Sequence, residues 1–186
     1  MQYQVKHKQP KRTPQWANIQ LVIFDVDGVL TDGKIIYSGE VLESKNFSAH
    51  DGMGFFLLNQ AGMISAVVSG RTSKALQRRC EDLEIKHVLQ GVKNKLEAVK
   101  KLIDELNLQW HHVVYMGDDW NDVPVMRKVA WSVCPADAVR EVQDFADHTT
   151  NHFSGDGAAR ECIDIILTQK GLYEKTVAQY LKDISE

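Results

Sequence analysis

Four short, nearly unbroken apolar runs divide the chain. They cover residues 19–24, 64–69, 113–117 and 131–134. A continuous apolar run of this length is typical of a parallel strand that is covered on both of its faces. The pattern therefore predicts the central strands of a sheet that is buried between two layers.

Helical patterns separate these runs. They cover residues 73–83, 95–106 and 123–128, and two more helices are predicted in the tail, 158–185, on either side of Gly171. Strands that alternate with helices predict an α/β fold with a doubly wound, Rossmann-like parallel sheet. In such a sheet, ligands bind beyond the carboxyl ends of the strands.

One stretch breaks the alternation. Residues 35–37 and 41–47 have the pattern of two strands, and Ser38-Gly39-Glu40 between them favours a hairpin turn. We therefore expect a β-hairpin insertion directly after the first strand, above the end of that strand. One helix, predicted at 53–61, fills the rest of the segment, so no cap domain is expected there.

The overall composition argues against several classes of protein. The chain has 186 residues, which one domain accommodates, and its formal net charge of -3 does not favour a nucleic-acid partner. Residues 1–17 are basic and lack the apolar centre of a signal peptide, so we predict a flexible basic arm followed by a single domain over 18–186. No apolar run is long enough for a membrane span, so no membrane partner is expected.

The three cysteines are widely spaced. Cys80, Cys134 and Cys162 form no CxxC pair, so neither a disulfide framework nor a zinc site is indicated. Free thiols of this kind suit a reducing compartment, and we therefore expect a cytoplasmic protein.

The densest polar signal follows the first apolar run. Asp25 and Asp27 lie two residues apart, just before Gly28, and strand alternation would aim both carboxylates to the same face. Two such groups at the end of a buried strand repel each other and lose solvation, so a fold tolerates them only with a compensating cation or role. Taken alone, the motif is explained equally well as a polar turn with positive φ at Gly28.

Complementary polar residues follow the other runs. Ser69 ends the second run, Lys95 opens a helix, and carboxylates follow the third run at Asp118, Asp119 and Asp122. Each has an ordinary alternative, namely a helix cap for the serine, a solvated surface charge for the lysine and a capping loop for the acids. Because the carboxyl ends of parallel strands meet at one edge of a sheet, the combination predicts an active site.

These motifs, in this order, resemble the haloacid dehalogenase (HAD) superfamily of phosphohydrolases. The resemblance covers residues 20–122 and implies a HAD-like fold without a cap domain. It also implies four catalytic roles: Asp25 is the nucleophile, Asp27 the general acid and base, and Ser69 and Lys95 are the phosphate ligands.

The same resemblance implies a magnesium cofactor. Its ligands would be Asp25, the backbone carbonyl of Asp27, and Asp118, with Asp119 or Asp122 as further support that the sequence does not rank. A carboxylate that attacks a phosphate dianion meets like-charge repulsion, and a bound divalent cation reverses that penalty.

The uncapped form, the hairpin and the segment 47–54 are similar to the 3-deoxy-D-manno-octulosonate 8-phosphate (KDO 8-phosphate) phosphatases. This resemblance implies a sugar-acid phosphate as substrate, a role in lipopolysaccharide biosynthesis, and a homotetramer whose subunits help to close one another's sites. For substrate binding it points to a set of polar and glycine residues: His50, Asp51, Gly52, Gly70, Arg71 and Arg160. An arginine fork is the apt partner for a substrate carboxylate.

Two departures from that family leave a second hypothesis open. Many relatives carry a basic residue at the position of His50 and an arginine at the position of Asp156. An acid at the latter place weakens the capture of an anionic substrate unless Arg160 compensates. A phosphatase of another acidic sugar phosphate, such as a nine-carbon sialic-acid-like 9-phosphate, therefore stays open.

Two further hypotheses come from other classes of protein. A receiver-like signalling module also combines clustered carboxylates, Mg²⁺, a hydroxyl and a lysine, and the fold alone does not separate it from a hydrolase. Its acidic pair is adjacent in sequence, however, whereas Asp25 and Asp27 straddle Val26 on the first strand. A catalytically silent binding subunit is disfavoured because the set of site residues is intact.

Overall fold

The computed structural model of the protein describes residues 11–38 and 42–185. The strands in these residues are β1 Leu21–Phe24, β2 Ile36–Ser38, β3 Leu42–Ser44, β4 Ile64–Val68, β5 His87–Leu89, β6 Val113–Met116, β7 Trp131–Cys134 and β8 His148–Thr149. The helices are α1 Ala49–Gln60, α2 Lys74–Asp82, α3 Lys95–Glu105, α4 Val123–Met126, α5 Arg140–Phe145, α6 Ala158–Gln169 and α7 Tyr173–Asp183.

Six strands form one parallel sheet in the order β5-β4-β1-β6-β7-β8. In this sheet Phe24 lies opposite Val67 on one side and Met116 on the other. The carboxyl ends of β1, β4 and β6 therefore lie at the same edge, close to the point where the strand order reverses. The predicted α/β fold with a doubly wound sheet is confirmed.

Two apolar layers cover the sheet, one on each face. The alternation of β1 supplies both layers, because Val22 and Phe24 point into one and Leu21 and Ile23 into the other. Helices α1, α2, α6 and α7 pack on the first face, and α3, α4 and α5 pack on the second. Each fully buried side chain of this size contributes roughly 1.5–3 kcal/mol, so the apolar character of the central strands is explained by double burial.

The hairpin follows β1 as predicted, but its strands are shorter. Strands β2 and β3 pair in antiparallel register, with Tyr37 opposite Glu43. Gly39 and Glu40 of the predicted turn lie outside the described residues. In the described part of the segment between β1 and β4, the hairpin is followed by α1 alone, so this region holds no cap domain.

Helix α1 begins four residues earlier than the predicted start at 53. Ser48 has extended backbone geometry and its hydroxyl accepts a hydrogen bond from the Asp51 N–H at 3.4 Å, which makes it the N-cap. His50, Asp51 and Gly52 therefore lie in the first turn of a helix and not in a loop. The apolar pattern alone did not reveal this start because the first turn is mostly polar.

Two residues of the segment predicted as a basic arm, Arg12 and Trp16, contact the domain, and Trp16 packs against the apolar layer on the first face. The Arg12 guanidinium donates to both carboxylate oxygens of Asp147, with one N···O distance of 2.7 Å. It also donates to the backbone carbonyls of Met126 at 2.7 Å and Val129 at 2.6 Å. The basic composition of this segment did not predict that Arg12 contacts the domain.

No helix of the described part is long and apolar enough to span a membrane.

We expect Arg12→Ala to lower the free energy of unfolding by about 2–3 kcal/mol, because the Asp147 side chain, which is 4% exposed, loses its cationic partner. Urea denaturation measures the change. Lys11→Ala, which removes an exposed cation beside it, is the matched control and should cost less than about 0.5 kcal/mol. Equal effects of the two substitutions would contradict the assigned role of Arg12.

Candidate active site

Asp25 and Asp118 meet where β1 and β6 end. Asp25 follows β1 directly, and its N–H donates to the Met116 carbonyl at 2.9 Å. Gly28, which has φ of +87°, makes room for the second acid, because a Cβ at this position would lie 2.1 Å from Asp118 Oδ2. Only glycine combines this backbone conformation with this clearance. The DxDG motif is therefore a turn built around Asp118.

A third acid, Asp122, completes a cluster with Asp25 and Asp118. One carboxylate oxygen from each of the three lies within 4.8 Å of the others. Within residues 11–38 and 42–185, this is the one group of acids, histidines and cysteines close enough to hold a metal ion. Of the acids predicted to converge after β1 and β6, the structure therefore brings together Asp25, Asp118 and Asp122.

The cluster holds more negative charge than its surroundings balance. Burial first, and then the charge of Asp122, raise the pKa of Asp25 to about 6, although Lys95 opposes this. Burial, and then Asp25 and Asp122, raise the pKa of Asp118 to about 8. The Asp118 Oδ1 atom is also buried without a hydrogen-bond partner among the described residues. An oxygen-rich, electron-rich pocket of this kind fits a divalent cation such as Mg²⁺.

Lys95 is a buried member of the site and not a solvated surface charge. It opens α3 behind the N-cap Asn94, and its Nζ lies 2.7 Å from Asp25 Oδ1 and 2.7 Å from Asp122 Oδ1. Burial acts to lower the pKa of Lys95, but the charges of Asp122 and Asp25 outweigh it and raise that pKa. The ammonium therefore stays charged, and one of its three N–H donors remains for a phosphate oxygen.

Asp122 organises the cluster, and Asp119 lies outside it. Asp122 Oδ1 accepts hydrogen bonds from Lys95 and from the Tyr115 hydroxyl at 2.5 Å. Its Oδ2 accepts from the N–H groups of Asp118 at 3.1 Å and Asp119 at 3.3 Å. A carboxylate offers about four lone-pair sites, and these contacts occupy them, which leaves Asp25 and Asp118 as the side chains with capacity for a metal. Tyr115 gave no sequence signal because it lies inside an apolar strand.

The Asp27 carboxylate does not join the cluster. Strand β1 ends at Phe24, so the alternation that would have aimed Asp25 and Asp27 to one side stops before either acid. The Asp27 carboxylate instead forms an ion pair with Lys45 on the hairpin. Lys45 and its second partner Glu43 were not among the predicted site residues, because a lysine after a short strand has the pattern of a solvated surface.

Ser69 and Arg71 lie at the same edge of the sheet, after β4. The buried Ser69 hydroxyl accepts a hydrogen bond from the Arg71 N–H at 3.1 Å. The exposed Gly70 lies between them. The Arg71 guanidinium contacts Glu43 at 3.1 Å and the Tyr37 hydroxyl at 3.4 Å. The predicted carboxylate ligand, Arg71, thus faces the hairpin.

Asp51 and Gly52, which were predicted to bind substrate, have structural contacts within the chain. The Asp51 carboxylate is buried and accepts the Arg160 N–H at 2.8 Å, so it caps the N-terminus of α6. A Cβ on Gly52 would lie 2.7 Å from a guanidinium nitrogen of Arg79. Neither residue is brought to the carboxylate cluster within one chain.

His50 and Arg160 lie in a separate depression on the surface. A cavity of about 470 Å³ is lined by both, together with Asp156, and by none of the clustered acids. The Arg160 Nε atom lies 2.8 Å from both carboxylate oxygens of Asp164. Within one chain, therefore, these two predicted substrate ligands are not adjacent to the reacting groups.

Fold and site together define an uncapped α/β hydrolase with a metal-competent acidic centre. Comparison with known proteins agrees, because the sequence profile of the haloacid dehalogenase-like hydrolases matches residues 86–161. The chain is 40% identical over 162 residues to the KDO 8-phosphate phosphatase KdsC of Salmonella typhi, a span of 87% of this chain and 86% of the relative.

Solved structures with the same architecture are also KDO 8-phosphate phosphatases. The KDO 8-phosphate phosphatase of Moraxella catarrhalis, in complex with magnesium, phosphate and KDO, has a TM-score of 0.86 at 34% identity and covers 89% of this chain and 95% of its own. The cobalt-bound enzyme of Haemophilus influenzae has a TM-score of 0.82 at 38% identity and covers 85% and 92%. This chain belongs to the family of the KDO 8-phosphate phosphatases.

We expect the metal-free protein to lose stability as pH rises from about 4 to about 8. Unfolded aspartate titrates near 3.8, whereas folded Asp25 and Asp118 titrate near 6 and 8, so the native state binds more protons in this window. Melting temperatures in chelator should fall by roughly ten degrees or more across it, since one pKa unit corresponds to about 1.4 kcal/mol. Asp118→Asn should flatten the curve, and an unchanged slope in this variant would contradict the assigned repulsion.

We expect Asp122→Ala to cost about 3 kcal/mol of unfolding free energy, since it leaves the buried Lys95 and Tyr115 without this acceptor. The exposed Asp119→Ala should change it by less than about 0.5 kcal/mol. Chemical denaturation of the two variants ranks their contributions to stability. A larger cost for Asp119→Ala would reverse it.

Proposed function

We propose that this chain hydrolyses KDO 8-phosphate to KDO and inorganic phosphate, with Mg²⁺ as cofactor and Asp25 as the phosphorylated residue. The observation that carries the proposal is the pair of the buried Asp25 and the half-buried Asp118 beside the charged Lys95, in a chain 40% identical to such phosphatases. The reaction places the chain in lipopolysaccharide biosynthesis.

In the first step, an Asp25 carboxylate oxygen attacks phosphorus and the bond to the sugar oxygen breaks. Asp27 gives its proton to the departing alkoxide. The Lys95 ammonium and the Ser69 hydroxyl hold the oxygens of the phosphoryl group, on which charge develops. The geometry of Lys95 supports this role, because Asp25 and Asp122 hold its ammonium in place before substrate arrives.

In the second step, water attacks the phosphorus of the acyl phosphate, and Asp27 removes the proton from that water. Phosphate leaves and the Asp25 carboxylate is regenerated. A bound Mg²⁺, held by Asp25, Asp118 and the Asp27 carbonyl, would offset the repulsion between the nucleophile and the phosphate dianion. A receiver-like module and a silent binding subunit both fit poorly, because the chain belongs to a family of hydrolases.

A second candidate substrate is the 9-phosphate of a nine-carbon sialic-acid-like sugar. The observation that favours it is Asp156, which lies in the cavity with Arg160 while the Arg160 Nε is engaged by Asp164. This cavity, which lies apart from the reacting groups of its own chain, therefore holds an additional acid where many relatives are expected to carry an arginine. A longer substrate with a different distribution of charge would tolerate that change.

We also propose a cytoplasmic homotetramer in which residues 18–186 act as one hydrolase domain, without a nucleic-acid or membrane partner. Ile35, Ile36 and Tyr37 on the hairpin are 46%, 39% and 72% exposed. Such an exposed apolar group on one strand suits burial against another subunit. Light scattering of the purified protein measures the mass, and a monomer at working concentration would refute the tetramer.

The proposed activity is tested by steady-state turnover of KDO 8-phosphate, a nine-carbon sugar-acid 9-phosphate and glucose 6-phosphate, each with Mg²⁺ and with chelator. We expect the first substrate to have the highest kcat/KM and chelator to remove the activity. Asp25→Asn should lower kcat at least about 1,000-fold because the nucleophile is lost.

The exposed Asp144→Asn is the matched control and should retain the wild-type rate. Preference for the nine-carbon substrate would favour the second candidate. Comparable rates on glucose 6-phosphate would defeat both, and retained activity in Asp25→Asn would refute the role of that residue.

A further inference from the structure

The hairpin carries a lysine that is almost completely buried. The Lys45 side chain is 1% exposed, although a lysine after a short surface strand is ordinarily solvated. Its ammonium forms ion pairs with the carboxylates of Asp27 and of Glu43, the latter at 2.8 Å. Burying a cation is costly without such partners, so the site of Lys45 is built to hold a charge against Asp27.

The ion pairs continue beyond Lys45. The second oxygen of Glu43 lies 3.1 Å from the guanidinium of Arg71, in the loop after β4. Negative and positive groups therefore alternate from Asp27 through Lys45 and Glu43 to Arg71. The hairpin thus joins the loop after β1 to the loop after β4 by charged side chains.

Asp27 needs such support because the sheet does not orient it. Strand β1 ends three residues before it, and its side chain is 20% exposed. A general acid must lie within hydrogen-bond reach of the oxygen that it protonates, and a displacement of about 1 Å is costly in rate. An ion pair to a buried, doubly anchored ammonium restricts the carboxylate without contacting the phosphate itself.

We propose that Lys45 is a positioning residue for Asp27: its ammonium holds one oxygen of the Asp27 side chain, so that the other oxygen, which carries the transferred proton, faces the leaving group, and Glu43 and Arg71 hold Lys45 in place. This inference rests on the proposed function, in which Asp27 is the general acid and base. It assigns to the hairpin a role in the chemical step as well as in any assembly of subunits.

The role predicts that the effect of Lys45 depends on the leaving group. A sugar alkoxide is a poor leaving group and needs the proton of Asp27, whereas p-nitrophenolate leaves without protonation. Single-turnover release of the leaving group isolates the first step. We expect Lys45→Met to slow release from KDO 8-phosphate about tenfold more than release from p-nitrophenyl phosphate, and Lys45→Arg to restore part of the loss.

Lys34→Met is the matched control, because Lys34 also lies close to the hairpin but is 75% exposed and pairs with Asp32. It should leave the ratio of the two release rates at the wild-type value. In an Asp27→Asn background, Lys45→Met should add no further loss, since the group that Lys45 orients is already disabled. A purely structural role of Lys45 would reduce release from both substrates alike in either background.

Equal losses on the two substrates, or no loss on either, would overturn the proposal, and so would an additive effect in the Asp27→Asn background. The wild-type rate on KDO 8-phosphate tests the proposed function separately. If the wild type does not turn over that compound, the same ratio is measured with any aliphatic phosphate monoester that it hydrolyses, so the two failures remain distinct. Thermal melting of Lys45→Met and Lys45→Arg shows whether either variant is unfolded.

Discussion

Repulsion between buried carboxylates is the constraint on which this site depends. The buried Asp25 and Asp122 and the half-buried Asp118 meet at the carboxyl edge of a doubly covered sheet, where water screens their charges only weakly. Lys95 offsets part of this negative charge. The Asp122 carboxylate accepts hydrogen bonds from Lys95, Tyr115 and the loop after β6, so its lone pairs are occupied. The remaining deficit of positive charge is what makes the pocket suited to a divalent cation and, with it, to a phosphate group.

The main features of the fold followed from sequence because the apolar runs reflect burial on both faces. Strand β1 and its neighbours carry a continuous pattern that few other structures produce. Elements at the margin of the sheet were not predicted, since β5 is a three-residue, half-buried strand and β8 has two residues. The start of α1 was missed for a different reason, because it is set by the Ser48 cap and not by apolar periodicity.

Convergence of the acidic residues was predictable because parallel strands bring their carboxyl ends together. The orientation of single side chains was not. Asp27 turns away from Asp25 because the strand stops before the motif, and Asp51 caps α6 across a separation of 109 residues. Lys45 shows the limit most clearly, since the residue type suggests solvent while the fold buries it between two acids. Such pairings depend on tertiary contacts that no local pattern encodes.

The contacts of Arg12 with the domain have a practical consequence for handling the protein. Its partners Asp147 and Val129 directly precede β8 and the loop into β7, so they mark the amino edge of the sheet. The reacting groups occupy the opposite edge. A purification handle or fluorescent reporter attached at residue 11 would therefore leave the domain on the far side of the sheet from arriving substrate, which makes this position suitable for immobilisation.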